Sequence, residues 1–216
     1  MELAPAPDVI QSESWEASWP WLDPIRRLTR PVPCEPDARA PGPDAPGYPA
    51  AVVALIVDGS PPAFLMTNRS VMLHEHGGEV AFPGGRIESW DANPATAALR
   101  ELEEEVGIGR DRVRPLGYLP GIWTGNGRYW VTPLLAWLPG PFDPSALDLS
   151  PEVESVFPLP LAIGLDPRRY GRPSAPGTDI PVPMLLWDGP LIWGATARIL
   201  LGCAQAFEPA AQDTLR

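Results

Sequence analysis

The chain predicts an α+β fold, a mixed β-sheet sandwiched between helices. Three features lead there: short apolar runs closed by Gly/Pro turns, a helix with its own start and stop signals, and no regular β-α-β alternation of the kind a doubly wound sheet needs. With 216 residues and 44% hydrophobic side chains, one core-forming domain with appendages fills the length.

The elements follow in chain order. Eleven of the 31 prolines lie in residues 1–49, and residues 31–49 are mostly Pro, Gly, Ala and Asp, too poor in large apolar side chains to pack. Residues 1–49 therefore read as a Pro/Trp-rich N-terminal arm and linker. Within the arm Trp15, Trp19, Trp21, Leu22, Ile25 and Leu28 recur at near-helical spacing, interrupted at Pro20 and Pro24. Such a segment docks on its own domain or packs across the two-fold axis of a homodimer. The globular domain, residues 50–208, opens with an apolar run at 51–57, a turn at 58–62 and a second strand at 63–67. Asn93 and Pro94 cap and start a helix that runs to Val106, where Gly107 stops it. Further strands are expected at 113–119, 129–138 and 180–187, helices at 159–165 and 195–207, and a C-terminal tail at 209–216.

Charge and cysteine usage exclude several function classes. A net charge of −11 repels polyanions, and with no basic patch a nucleic-acid polymer is not a partner. Cys34 and Cys203 stand far apart, so neither a disulfide framework nor a Cys-x-x-Cys zinc site is available, and a reducing cytoplasm fits. The N-terminus lacks the order of a signal peptide, and no apolar run approaches the roughly 18 residues of a membrane span. The expected protein is cytoplasmic, without a membrane partner.

The chemistry concentrates in residues 100–108, Arg-Glu-Leu-Glu-Glu-Glu-Val-Gly-Ile. At about 100° per residue, Glu101, Glu104 and Glu105 fall within roughly 100° of one another, while Ala95, Leu99, Leu102 and Val106 form a separate apolar stripe. Three carboxylates on one face repel each other, and a hard divalent cation relieves the repulsion. An oxygen-only donor set without His or Cys suits Mg²⁺ or Mn²⁺, which share their shell with substrate phosphates. Upstream, Phe82-Pro83-Gly84-Gly85 is poor in side chains and lets main-chain groups come close to an anion or a metal.

Taken together, Gly85, five residues, Asp91, eight residues and the run from Arg100 resemble the Nudix box, with Asp in place of the first Glu and one residue more before the Arg. The resemblance spans about residues 50–207 and implies a Nudix-type sheet between helices. It implies that Glu101, Glu104 and Glu105 bind metal, that Gly85 adds a main-chain carbonyl, and that Arg100 orients the glutamates. Asp91 or its neighbour Glu88 would brace the loop. Glu152, with Glu154 as understudy, is the further acid that many family members place near the metals, and a nearby carboxylate takes the proton of the attacking water.

The preceding segment narrows the branch. Leu65-Met66-Thr67-Asn68-Arg69-Ser70, three residues, His74, three residues, Gly78, three residues and Phe82-Pro83-Gly84-Gly85 are similar to the extra motif of the coenzyme A pyrophosphatase branch, with His74 where the branch carries Arg. A neutral imidazole does not give the bidentate clamp of a guanidinium. The implied activity is metal-dependent hydrolysis of a nucleoside diphosphate conjugate, with coenzyme A or a derivative leading. The products would be adenosine 3',5'-bisphosphate and 4'-phosphopantetheine. Arg69, His74, Gly84 and Trp123 are the substrate-binding candidates, with Tyr129 and Trp130 as further stacking rings and Arg128 as a further cation. Another small nucleotide conjugate (NADH, ADP-ribose, a dinucleoside polyphosphate) or a non-catalytic nucleotide-binding module are the alternatives.

Overall fold

The computed structural model of the chain describes residues 47–59, 61–73, 75–174, 177 and 179–214, with side chains as far as residue 205. Strand β1 (Tyr48–Asp58) is the spine of an eight-stranded sheet. Ala51, Val53, Leu55 and Val57 bury on one face of it and Ala50, Ala54 and Ile56 on the other, which is why the segment reads as an unbroken apolar run.

Along one edge of β1, strand β7 (Tyr129–Pro141) runs parallel, from Tyr48 opposite Tyr129 onward. Two short antiparallel partners share the other edge. Strand β2 (Ala63–Arg69) takes the end at Ile56 and Val57, and strand β4 (Gly84–Arg86) takes the end from Ala50 to Val52. Strands β3 (Val80–Ala81) and β8 (Val153–Pro160) pair with β2, and strands β5 (Arg114–Tyr118) and β6 (Ile122–Trp123) pair with β7. The sheet is thus mixed, as expected.

Helix α1 (Pro94–Val106) covers one face through Leu99, Leu102 and Val106. After a single turn, α2 (Leu161–Gly164), a small antiparallel sheet of β9 (Tyr170–Gly171), β10 (Met184–Leu185) and β11 (Ile192–Trp193) leads into α3 (Gly194–Thr214). Helix α3 covers the opposite face with Ala197, Leu200 and Cys203. Burial pushes the Cys203 thiol up to about 12, which makes it a small core hydrophobe and not a nucleophile.

Two sequence expectations are corrected. Residues 159–165 are not one helix: Leu159 and Pro160 finish β8, with Leu159 opposite Phe64, and only 161–164 turn helical. The prolines at 158 and 160 are tolerated because β8 is an edge strand. Residues 180–187 are not one strand: Met184 and Leu185 alone form β10, with one isolated bridge from Pro181 to Ser174. Pro181 and Pro183 lack the N–H a longer ladder requires. Strand β1 begins at Tyr48, slightly ahead of the expected start, and α3 continues to Thr214. The Trp-bearing segment of the arm, His74 and Cys34 lie outside the described residues. Among the described residues no helix is long and apolar enough to cross a membrane.

Candidate active site

Local signals set the position of α1. The Asn93 side chain accepts from the Thr96 N–H at 2.9 Å, Pro94 starts the first turn, and the buried Ala95 N–H donates to the Tyr118 hydroxyl at 3.0 Å. At the other end Gly107, at φ 71°, returns its N–H to Glu103 O at 3.1 Å. With Leu102 and Val106 fully buried against the sheet, the 3.6-residue period turns Glu101 and Glu105 toward the edge where β4 lies.

Strand β4 fits there only because it carries no side chain at its first two residues. A Cβ on Gly85 would fall 2.6–2.7 Å from the Glu101 carboxylate, and one on Gly84 would fall 2.4 Å from Ala51 O. In their absence the Gly84 N–H reaches Glu105 Oε2 at 3.1 Å.

Arg100 ties the helix to the loop at 87–93. Its Nε and Nη2 donate to the two oxygens of Asp91 at 3.2 and 3.0 Å, and Nη2 also reaches the Arg86 carbonyl at 3.1 Å. Its Nη1 donates to Glu101 Oε1 at 2.8 Å and Glu104 Oε2 at 3.0 Å. Burial alone would raise the Asp91 pKa, since its side chain is only 2% exposed. The bonds from Arg100 and the Glu88 N–H win and hold it below the ordinary value. Asp91 is therefore the loop brace, and Glu88 contributes its main chain.

Glu105 is the least expected group. Its side chain is 7% exposed, and burial pushes its carboxyl up to about 7 although the Gly84 N–H and Arg69 oppose the shift. Glu101 and Glu152 push the same way, and Glu101 itself is raised, by burial first and by Glu104 and Glu152 after it. Arg69 bridges the group, with Nη1 3.3 Å from Glu105 Oε1 and Nη2 3.4 Å from Glu152 Oε2, while its buried Nε has no partner among the described residues. Among the described residues no three acids close into a preformed cation cage. The donor set nonetheless fits magnesium or manganese: mutually repelling oxygen ligands, a Glu105 carboxyl that burial pushes up to about 7, and Glu101 Oε2 without a bond among the described residues. Magnesium needs only one or two protein carboxylates, with waters and substrate phosphates completing its shell.

These groups share the wall of one cavity of about 970 Å³, between the sheet end and the start of α3. Arg69, Gly84, Gly85, Glu101, Glu105 and Glu152 all line it. Glu104 stays outside with its side chain 60% exposed, and Arg100 works from behind the carboxylates. Trp123 is not on the cavity wall; its ring packs edge-on to Trp130 with centroids 5.4 Å apart. Arg128 pairs with Glu75, and Glu154 is exposed on β8. Sequence reasoning missed Arg86, whose one signal was adjacency to Gly84-Gly85, and Arg198, which α3 delivers from far along the chain with no local signal at all.

Residues 47–171 match the NUDIX domain family. The uncharacterized Nudix hydrolase NudL of Escherichia coli K12 is 39% identical over 153 residues, 70% of this chain and 78% of that protein. NudL of Shigella boydii serotype 4 gives the same figures. Among solved structures, a MutT/nudix family protein of Enterococcus faecalis is similar at TM-score 0.48 and 13% identity, over 81% of this chain and 65% of that one.

Proposed function

The chain belongs to the NUDIX family, and from that premise we propose that it hydrolyses the pyrophosphate bond of a nucleoside diphosphate conjugate, coenzyme A or a derivative being the leading substrate. With coenzyme A the products are adenosine 3',5'-bisphosphate and 4'-phosphopantetheine. The observation that carries this reading is geometric: the buried Glu105 carboxylate faces a large cavity beside Glu101 and the Gly85 main chain, where a Cβ would meet Glu101. Buried acids gathered on the wall of a cleft are the arrangement expected of a reactive site.

Glu101, Glu105 and the Gly85 carbonyl would hold Mg²⁺ or Mn²⁺, with Glu104 joining from the rim. When bound, a divalent cation neutralises diphosphate charge and lowers the pKa of an attacking water. The residues supply the rest. Arg100, fixed by Asp91, holds Glu101 and Glu104 in register. Arg69 turns from the carboxylates to a diphosphate oxygen, where its guanidinium offsets charge that builds as the P–O bond breaks. Glu152, on the loop before β8 and 58% exposed, receives the proton of the water whose oxygen bonds to phosphorus. The leaving phosphate takes up the electron pair of the broken bond.

A substrate panel of coenzyme A, ADP-ribose, NADH and a dinucleoside polyphosphate, run with Mg²⁺, with Mn²⁺ and with a chelator, tests the reading. Coenzyme A is expected to turn over fastest, and the chelator to stop all turnover. Glu105→Gln is expected to lower kcat by about 100-fold or more while the fold is retained. Parent-like turnover of that variant would sink the assignment. Preferred hydrolysis of ADP-ribose or NADH would move the substrate class, and binding without turnover on every compound would make the domain a nucleotide sensor.

A further inference from the structure

Besides the metal-site acids the cavity wall carries Glu75 and Glu79, which pair with Arg128 and His76, together with Glu88 and with cations that the hydrolysis above does not use. Arg86 and Arg198 both line the cavity. Arg69 is committed to Glu105 and Glu152, but among the described residues neither Arg86 nor Arg198 meets a carboxylate. Arg112, Arg114 and Arg172 likewise meet no carboxylate among the described residues, but of these five only Arg86 and Arg198 line the cavity.

Both side chains are nevertheless held. The Arg86 guanidinium sits over the Tyr48 ring, 3.9 Å from its centroid, and 5.9 Å from that of Tyr129. Arg198 donates one bond from Nη1 to the Trp123 carbonyl at 3.1 Å. Each keeps further N–H donors uncommitted among the described residues. One enters from the sheet through β4 and the other from α3, and Tyr129, opposite Tyr48 in the β1–β7 ladder, lines the cavity as well. Two pre-held guanidinium groups with no acid to neutralise them make an anion site. A diphosphate held at Arg69 and at divalent cations on the carboxylates would account for one anion, and these two arginines are left for another.

We propose that Arg86 and Arg198 form a subsite for a phosphomonoester carried on the ribose of the nucleoside half, with Tyr129 as an aromatic surface for the base. The inference rests on the hydrolase reading for the position of the diphosphate, and it adds the feature that selects among conjugates. A nucleotide with an extra ribose phosphate fills the subsite, while one with bare ribose hydroxyls leaves both cations unpaired.

Titration calorimetry of the full chain at near-physiological salt, with adenosine 3',5'-bisphosphate and adenosine 5'-monophosphate as probes, tests it directly. The parent is expected to bind the bisphosphate about 10-fold or more tightly than the monophosphate. Arg86→Gln and Arg198→Gln should each pull that ratio to about threefold or less, with Arg86→Lys recovering part of it. A parent ratio near one, or a ratio untouched by both glutamine variants, overturns the subsite. Because the variants lie on different elements, either one decides if the other does not fold. A parent that hydrolyses conjugates without this preference loses the subsite and keeps the hydrolase reading. One that shows the preference but hydrolyses nothing keeps the subsite and loses the reaction.

Discussion

Glu105, paired with Arg69, and Asp91, paired with Arg100, have pKa values that move in opposite directions, and that contrast separates function from stability. Asp91 is held low by Arg100 and the Glu88 N–H, so the stability it adds is present above the ordinary 3.8 and lost as the pH falls through its lower folded value. Asp91→Asn is therefore expected to lower Tm at neutral pH and to lower kcat, because Arg100 loses its anchor. Glu105 behaves in the reverse sense. Its folded-state value of about 7 stands above the ordinary 4.5, so the metal-free protein loses stability as the pH climbs from 4.5 through about 7. At about 1.4 kcal/mol per tenfold the ceiling on that loss is roughly 3 kcal/mol, and relaxation and the lost Arg69 bond reduce it. Glu105→Gln cannot ionise. Denaturant melts without metal should find it about 1–2 kcal/mol more stable than the parent at pH 8 and no more stable at pH 5. A variant less stable than the parent at both pH values would mean that Glu105 is kept for packing.

At the scale of elements, β4 and α1 define each other, and the two glycines of β4 should fail differently. Gly84 is at φ 151°, and a methyl group there would meet backbone at Ala51 O and Val52 Cα, 2.4 and 2.5 Å away, which cannot yield without unpairing β4 from β1. Gly84→Ala is expected to cost about 2 kcal/mol or more in denaturant melts. At Gly85 the obstruction is the flexible end of Glu101, so Gly85→Ala should melt close to the parent yet bind Mn²⁺ at least about 10-fold more weakly, as read by calorimetry. The same pair of elements shows what the sequence makes legible. Asn93, Pro94 and Gly107 mark both ends of α1 through local hydrogen bonds, so its boundaries and its carboxylate stripe are readable from spacing alone. Strand β8 hides because prolines at 158 and 160 look like breakers, and only the edge position of the strand, a property of the assembled sheet, makes them harmless. Asp91 is readable as a brace. The burial of Glu105 is not, because the Gly84 main chain and Arg69 that enclose it come from other elements.

For the whole molecule, the match to the family ends at residue 171, but the core does not. Ile56, Phe64, Met66 and Leu135 on the sheet are completely buried in a cluster that also contains Leu185, Ile192, Ile199 and Leu200, all contributed after that point. Burying those four side chains contributes about 1.5–3 kcal/mol each, or roughly 6–12 kcal/mol together, which is the entire net stability of an ordinary domain. The same segment supplies Trp193, Thr196 and Arg198 to the cavity wall, so the enclosure of the site and the closure of the core are one event. A chain ended at residue 171 is therefore expected to show no cooperative urea transition and to expose apolar surface to a fluorescent hydrophobic dye, although it keeps every carboxylate of α1 and the whole of β4. If that shortened chain melts cooperatively and binds Mn²⁺ as the full chain does, the face opposite α1 is closed by something other than α3, and the cavity as described is not what positions the site.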